Sequence, residues 1–280
     1  MKRKSAIVEK AGPLEEQLGR LGFEAARARA LVAAGAVYVG GRRAKALGAA
    51  VEPGAKLMVV LEESGQSTEA APVRAAVTVL FEDAELVAVD KPPGVVSQPT
   101  QGRTAGSMLD QVSAYLGREA GLVHRLDRET SGVLVFAKTR EATTKLAEEF
   151  REGRAKKRYL AVVKPGVPAE ATIELPLSRD PSRPGRWRAS KKHHGVPALT
   201  VMKRLSQSDE GDVVELLPQT GRTHQLRAHL AGIGHPIVGD KLYGGGPGPR
   251  CLLHAERLEI LGRTIVAPLP ADMKERSGRG

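Results

Sequence analysis

Asp127 lies in a stretch of polar side chains where an ionised carboxylate could do chemistry. Residues 124–132 read His-Arg-Leu-Asp-Arg-Glu-Thr-Ser-Gly, and the apolar run Val133 to Ala137 that follows is typical of a buried strand. Arg125 and Arg128 are close neighbours of Asp127 in the chain, and nearby positive charge favours the ionised form of a carboxyl group. Such a carboxylate can be a nucleophile, a general base or half of a salt bridge. This segment alone leaves all three roles open.

A second segment, residues 219–229, reads Gln-Thr-Gly-Arg-Thr-His-Gln-Leu-Arg-Ala-His. Thr220 or Thr223 could cap the start of a helix. His224 and His229 are five residues apart, which does not match the i, i+4 histidine pair of a helical zinc site. We therefore expect no metal site. The sequence also lacks a Walker phosphate loop and a dinucleotide-binding glycine pattern.

Length and composition limit the class of protein. The 280 residues suffice for about two domains. The net charge of +11 indicates a nucleic-acid partner, and the 3% aromatic content argues against an extended base-stacking platform. A single cysteine, Cys251, excludes an internal disulfide bond. No apolar run has the length of a membrane span and the N-terminus has no secretory pattern, so we expect a cytoplasmic protein without a membrane partner.

The helices and strands predicted around these residues form two domains. Residues 14–63 show two short helical patterns and the strand-and-turn sequence Val-Tyr-Val-Gly-Gly at 37–41, which predicts a small α/β domain after a tail at 1–13. Residues 64–76 have the composition of a flexible linker. Many short apolar runs with a few helices predict an α+β domain with a mostly antiparallel, mixed sheet at 77–270. Residues 271–280 are charged, and we expect a disordered tail.

Clusters of basic side chains are the candidate RNA contacts. Such clusters can bind phosphate, although each could also be an ordinary solvated surface. The candidates are Arg27, Arg29, Arg42 and Arg43 in the small domain, Lys156 and Lys157 in one cluster of the large domain, and Arg188, Lys191 and Lys192 in another, which we expect to lie on a mobile hairpin or loop.

Residues 14–63 resemble the RNA-binding domain of the ribosomal S-four type, in which a helix pair leads into a Val-x-Val-Asn-Gly turn. Here Gly40 replaces the usual asparagine. The large domain resembles the RluA-type pseudouridine synthases, whose motifs occur here in the family's order. They are Lys91-Pro92-Pro93-Gly94, His124-Arg125-Leu126-Asp127 with Thr130-Ser131-Gly132, Lys157-Arg158-Tyr159, residues 220–227, His235 to Asp240 with Tyr243-Gly244, and Leu253-His254-Ala255.

This resemblance implies conversion of uridine to pseudouridine in RNA without a cofactor. It implies Asp127 as the catalytic carboxylate, Arg125 as the residue that displaces the target base, and Tyr159 as the ring that packs on the base. Arg227 is implied as the partner of Asp127, with Arg222 as the alternative in the same motif. Leu253 is implied as a wall of the uracil pocket. Further expected substrate contacts are Arg222, His124, Thr130 and Lys91.

The expected substrate is large-subunit ribosomal RNA, because the two-domain layout resembles family members that act there, and transfer RNA is the alternative. A monomer is the default oligomeric state. Two other functions compete with this one. A non-catalytic RNA-binding or ribosome-assembly factor could keep the fold, and an RNA hydrolase could use Asp127 as a general base. The hydrolase would need a metal or a second acid, for which Glu129 is the only candidate nearby.

Overall fold

The computed structural model describes residues 2–33, 35–44, 46–61, 77–99, 106–190 and 194–277. The chain divides into two compact units. One comprises Met1–Val73 with Pro99–Asp110, and the other comprises Arg74–Gln98 with Gln111–Gly280. The linker predicted at 64–76 lies outside the described residues. In the described part of the chain, no helix combines the length and the apolar character that crossing a membrane requires.

The first unit contains a four-stranded sheet in the order β1-β6-β3-β4, a β2-β5 pair and two helices. Their bounds are β1 (Lys2–Ile7), β2 (Gly12–Pro13), α1 (Leu14–Arg20), α2 (Ala25–Ala33), β3 (Val37–Val39), β4 (Arg42–Arg43), β5 (Ala50–Val51) and β6 (Lys56–Leu61).

Helix α1 buries Leu14 and Leu18, four residues apart on one face, against Val37 and Val59 of the sheet. The predicted glycine turn is present, since Gly40 and Gly41 have φ of 56° and 81° and join β3 to β4. Two successive left-handed residues make a turn that suits a tight hairpin and favours glycine.

The tail predicted at residues 1–13 is wrong in one respect. Strand β1 pairs with β6 along its whole length, from Lys2 opposite Leu61 to Ile7 opposite Lys56. This strand has no apolar pattern of its own, and its pairing with a distant strand is not visible locally.

The second unit is built on a ten-stranded sheet. After residue 77 the elements are β7 (Val79–Glu82), β8 (Leu86–Lys91), α3 (Met108–Leu116), β9 (Gly121–Leu122), β10 (Ser131–Ala137), α4 (Arg140–Arg151), β11 (Lys156–Val163), β12 (Glu170–Glu174), β13 (Leu177–Arg179), β14 (Trp187–Ala189), β15 (Leu199–Ser206), β16 (Asp212–Pro218), α5 (Gln225–Gly232), β17 (Leu253–Ile260), β18 (Arg263–Val266) and α6 (Ala271–Ser277).

The strand order is β12-β15-β16-β11-β17-β10-β8-β7, with β18 on β17 and β9 on β10. Every pair in the described part of this sheet is antiparallel except β10 with β17. The predicted α+β class with a mostly antiparallel mixed sheet is confirmed. Strands β13 and β14 form a separate hairpin.

Strand β10 is buried along its whole length, as its apolar sequence predicts. Helix α4 packs Ala142 and Leu146 into the same core cluster as Val133 and Val135. Its start is capped by Thr139, whose hydroxyl accepts a hydrogen bond from the Ala142 N–H at 3.1 Å. These contacts hold the strand that directly follows Asp127 and its neighbours.

The disordered tail predicted at 271–280 is wrong for residues 271–277, which form helix α6. Met273 is 1% exposed, and Asp272 accepts hydrogen bonds from Arg250 at 2.7 and 2.9 Å. The charged composition of this segment did not indicate that Met273 is buried or that Asp272 pairs with Arg250. Residues 278–280 lie outside the described part.

Candidate active site

Residues 124–132 lead from β9 into β10 and are held on both sides of Asp127. We name them the catalytic segment after the role predicted for Asp127. On one side, the Ser97 hydroxyl donates to the Leu126 carbonyl at 2.8 Å and accepts from the Leu126 N–H at 3.0 Å. Ser97 is buried, so this double hydrogen bond fixes the residue before Asp127. Ser97 was not predicted as a site residue, although it closes the Lys-Pro-Pro-Gly-Val-Val-Ser stretch.

On the other side, the Arg128 carbonyl accepts from the Lys91 ammonium at 3.0 Å and from the Gly94 N–H at 2.8 Å. Lys91 also donates to the carbonyls of Pro92 at 2.9 Å and Val95 at 2.7 Å. Burial lowers the pKa of Lys91 to about 8, against the opposing effect of the Asp127 charge. The prediction of Lys91 as a substrate contact is wrong, because the ammonium is fully buried and its three hydrogens point to backbone carbonyls.

The end of the catalytic segment is fastened to β17. The Thr130 N–H donates to the Asp127 carbonyl at 3.1 Å, which closes a tight turn, and Thr130 is buried in it. Ser131 Oγ lies 2.9 Å from His254 Nδ1. Gly132 has φ of 109°, and a Cβ there would lie 2.1 Å from the Ala255 carbonyl oxygen, so only glycine fits. Thr130, expected as a substrate contact, supports the turn that presents Asp127.

Asp127 forms an ion pair with Arg227, which also pairs with Asp240. Arg227 Nη1 donates to Asp127 Oδ2 at 3.2 Å, while Nε and Nη2 donate to Asp240 at 2.7 and 2.9 Å. Asp240 is 1% exposed and also accepts from the N–H groups of Leu242 and Tyr243. These two carboxylates raise the pKa of Arg227 despite its burial, so the guanidinium stays charged. Asp240 was not predicted as a site residue. Its position at the end of the His235 to Asp240 motif could have identified it.

Helix α5 positions Arg227 through its first residue. The Gln225 amide accepts from Thr220 Oγ1 at 2.7 Å and from the Arg222 N–H at 3.0 Å, and it donates to Leu199 and Thr200 at 3.0 Å each. The predicted threonine cap is wrong, because His224 is the N-cap residue and no side chain caps the helix.

Of the two candidate arginines, Arg227 contacts Asp127. Arg222 is exposed, and its Nε donates to the Pro197 carbonyl at 3.4 Å. The choice that the sequence left open is therefore answered by geometry.

His224 stands beside the Asp127–Arg227 pair. Its backbone is left-handed, with φ of 54°, and its Nε2 lies 3.8 Å from Asp127 Oδ2. Its Nδ1 lies 3.2 Å from the Tyr243 hydroxyl, and Tyr243 also lies under Arg227, 5.1 Å from ring centre to guanidinium carbon. Burial lowers the pKa of His224, with the charges of Arg227 and Arg125 adding to this effect and Asp127 opposing it.

Tyr159 approaches the site from β11. Burial raises the pKa of Tyr159 and the Asp127 charge raises it further, so the phenol stays protonated at neutral pH. It is opposite Ala255 of β17, which is itself opposite Gly132 of β10. Leu253, two residues earlier on β17, is 3% exposed in the core cluster against which Tyr159 packs.

The remaining residues of the catalytic segment differ in exposure. Arg125 is exposed and has no ion pair among the described residues. Glu129, the candidate second acid, pairs with Arg128 at 2.9 Å on the surface. His124 accepts a hydrogen bond from the Val135 N–H at 3.0 Å and stacks on Phe150, and burial lowers its pKa to about 3. The imidazole is therefore neutral and anchors the segment to β10, which is a different role from the predicted substrate contact.

The candidate RNA contacts lie in both units. Arg27 and Arg29 are exposed on α2, and Lys156 is exposed at the start of β11. Lys157 is half-buried. Arg188 lies on the β13–β14 hairpin and donates to Ser178 Oγ at 3.3 Å. Arg42 and Arg43 form β4, but their side chains lie outside the described part, as do Lys191 and Lys192 entirely.

The chain is similar to known proteins in sequence and in fold. Residues 85–232 match the family described as RNA pseudouridylate synthase. A protein of Bacillus subtilis, "Uncharacterized RNA pseudouridine synthase YhcT", is 36% identical over 80% of this chain and 78% of its own length. "Ribosomal large subunit pseudouridine synthase D" of Nitrosomonas europaea is 35% identical over 75% of this chain and 66% of its own length.

A solved structure, "Human RNA Pseudouridylate Synthase Domain Containing 1", superposes with a TM-score of 0.62 at 25% identity, over 73% of this chain and 87% of the other. The family model spans the catalytic segment and helix α5, and the match with the Bacillus subtilis protein covers most of both chains. The chain therefore belongs to the RNA pseudouridine synthase family.

Proposed function

We propose that this protein isomerises uridine to pseudouridine in RNA, with Asp127 as its catalytic carboxylate. The observation that carries the proposal is the Asp127–Arg227–Asp240 arrangement, in which a buried arginine with a buried partner of its own holds a 26%-exposed carboxylate at 3.2 Å. Asp127 is thus paired with a fixed cation, held in place and accessible to a ligand, as a group that attacks or deprotonates a sugar must be.

The reaction breaks the bond between the sugar and N1 of uracil, turns the base and joins the sugar to C5, whose hydrogen leaves as a proton. Asp127 can start this sequence by attack on the sugar carbon or by removal of a sugar proton. We assign the reaction to Asp127 alone, because Glu129 pairs with Arg128 at the surface and Asp240 is buried against Arg227. Hydrolysis of a glycosidic bond usually takes two acids.

The base must leave its stack before it can react, which costs a few kcal/mol. Arg125 is exposed beside Asp127, and we assign it to the space that the base leaves. Tyr159 stays protonated next to Asp127, and we assign it to packing on the uracil ring and to the late proton step. Leu253 is assigned to the apolar wall behind Tyr159.

We propose large-subunit ribosomal RNA as the substrate, with transfer RNA as the alternative. Support comes from relatives in several bacteria that are named ribosomal large subunit pseudouridine synthase D. We also propose that the first unit binds RNA as an S-four-type domain does, using the exposed Arg27 and Arg29. A cytoplasmic location and a monomeric state stay predictions.

Mapping of pseudouridine in total RNA from cells with and without this protein tests the proposal. One or more uridines of large-subunit ribosomal RNA should be modified only when the protein is present, and the purified chain should restore them on RNA from the deficient cells. Identical maps, together with RNA binding by the purified chain, would instead support the non-catalytic RNA-binding factor.

A further inference from the structure

Strand β11 begins with three consecutive basic residues, Lys156, Lys157 and Arg158, and their surroundings differ. Arg158 is neutralised, because its Nη1 donates to Glu256 at 3.0 and 3.1 Å and its Nε donates to Glu215. Lys156 is exposed to water. Lys157 is half-buried, yet among the described residues no carboxylate lies within 4.0 Å of its ammonium and no hydrogen-bond acceptor contacts it. This cation is therefore partly desolvated without a partner.

Lys157 lies where three parts of the site meet. It is two residues before Tyr159, so both side chains leave β11 on the same face. Lys157, Tyr159 and His124 line one small cavity. A Cβ placed on Gly221, in the loop before α5, would lie 3.5 Å from Lys157 Nζ. The ammonium thus stands between the catalytic segment and the loop that leads to Arg227.

Arg257 lines the same cavity and adds a second unsatisfied donor. Its Nη2 pairs with Glu259 at 2.9 Å, but its buried Nε has no hydrogen-bond partner within the described chain. His124 brings no positive charge to the cavity because it is neutral. Two cationic side chains therefore face a cavity whose lining residues include no acid.

A partly buried charge without a counter-charge costs stability in the free protein, and burial accordingly lowers the pKa of Lys157. An anionic ligand would remove that cost by supplying the missing charge. Lysine is a common phosphate ligand because it is a compact charge with three donors. A neutral uracil oxygen would compensate the charge far less.

We propose that Lys157 binds a backbone phosphate next to the uridine that enters the site. The inference rests on the proposed function and adds the group that holds the displaced nucleotide near Asp127. Lys157 differs in this from the exposed basic residues, whose attraction for RNA is spread over many phosphates.

The first test compares Lys157→Met with Lys203→Met, which removes a 59%-exposed lysine of β15. On a transcript of bacterial large-subunit ribosomal RNA, Lys157→Met should lower kcat/KM by about 10- to 100-fold, the range of one hydrogen bond to a charged group. The slope of log Kd against log salt should fall by about 1. Lys203→Met should change neither, and Lys157→Arg should keep most of the activity.

The melting temperature distinguishes a phosphate-binding lysine from a structural one. Replacement of a structural lysine would lower it. Because Lys157→Met removes an unpaired, partly buried charge, its melting temperature should equal or exceed that of the wild type. A clear fall in melting temperature together with unchanged kcat/KM would overturn the proposal.

A substituted RNA fragment locates the phosphate. A neutral methylphosphonate on one side of the converted uridine should weaken wild-type binding by the same factor as Lys157→Met, and should weaken Lys157→Met binding little further. Additive losses at both neighbouring phosphates would contradict the inference. Binding to the unmodified fragment separates the two claims, since a chain that shows the Lys157 effect on Kd but converts no uridine refutes only the proposed reaction.

Discussion

Arg227 is held by two carboxylates that differ in exposure and in role. Asp240 is buried and takes two hydrogen bonds from the guanidinium, whereas Asp127 takes one and remains accessible. Because the Asp240 charge already balances Arg227, a reaction that changes the charge or contacts of Asp127 does not leave a buried arginine without a partner. In the proposed function, this division lets Asp240 be structural while Asp127 reacts.

Asp240→Asn tests this division. Loss of one charge from a buried ion pair should lower the free energy of unfolding by about 3–5 kcal/mol and abolish most activity, because Arg227 is no longer held. Asp272→Asn is the matched control, since Arg250 and Asp272 form the same two hydrogen bonds with a 30%-exposed carboxylate. Urea denaturation and pseudouridine assays on both variants provide the measurement. Equal losses of activity in the two variants would remove the special role of Asp240.

At the scale of elements, the site is a meeting of four segments. Residues 91–97 hold the catalytic segment, β17 fastens its end, β11 supplies Tyr159 and α5 supplies Arg227. Among these contacts, Ser97 acts most directly on the position of Asp127. Its single hydroxyl bonds both backbone groups of Leu126, the residue before Asp127.

Ser97→Ala should leave the Leu126 N–H and carbonyl unpaired, at a cost of about 1–3 kcal/mol in stability. Because Asp127 is then less firmly placed, kcat should fall by about 10- to 100-fold with little change in KM. Ser208→Ala is the control, since it removes a loop hydrogen bond to the Gly211 carbonyl at 2.8 Å and should leave kcat unchanged. A Ser97→Ala enzyme with full kcat would show that the segment needs no such support.

Local pattern predicted the elements with strong periodicity and missed those that depend on distant partners. The apolar run Val133 to Ala137 predicted strand β10 with its observed end and with a start two residues late. Strand β17 alternates apolar and charged residues without a continuous apolar run, so it was predicted only as a motif. Strand β1 and helix α6 were predicted as tails.

The same limit applies to the site. The motif order singled out Asp127 and Arg227, but residue types could not show that Lys91 and His124 face the protein interior while Arg125 faces solvent. That distinction depends on where segments far apart in the chain meet.

At the scale of the whole molecule, the net charge of +11 is spread over two units. In the proposed function the first unit adds affinity without taking part in the chemistry. This separation of roles predicts that RNA affinity and kcat can be changed independently.

The double variant Arg27→Gln/Arg29→Gln removes two exposed charges from α2 of the first unit. Its Kd for ribosomal RNA should rise, its salt slope should fall by about 1 to 2, and its kcat should stay within twofold. Lys164→Gln/Lys203→Gln removes two exposed charges from the second unit and controls for net charge. Equal effects of the two double variants in a salt titration would argue against an RNA-binding role for the first unit.

In the proposed function, Asp127 performs the reaction. The most direct test is single-turnover formation of pseudouridine by the wild type and by Asp127→Asn, with RNA affinity measured on the same preparations. The variant keeps the shape of the side chain and the Asp240 partner of Arg227, so it should fold and bind RNA as tightly as the wild type. We predict that its rate falls by at least about a thousandfold. Pseudouridine formed by Asp127→Asn at the wild-type rate would show that Asp127 is not the catalytic carboxylate.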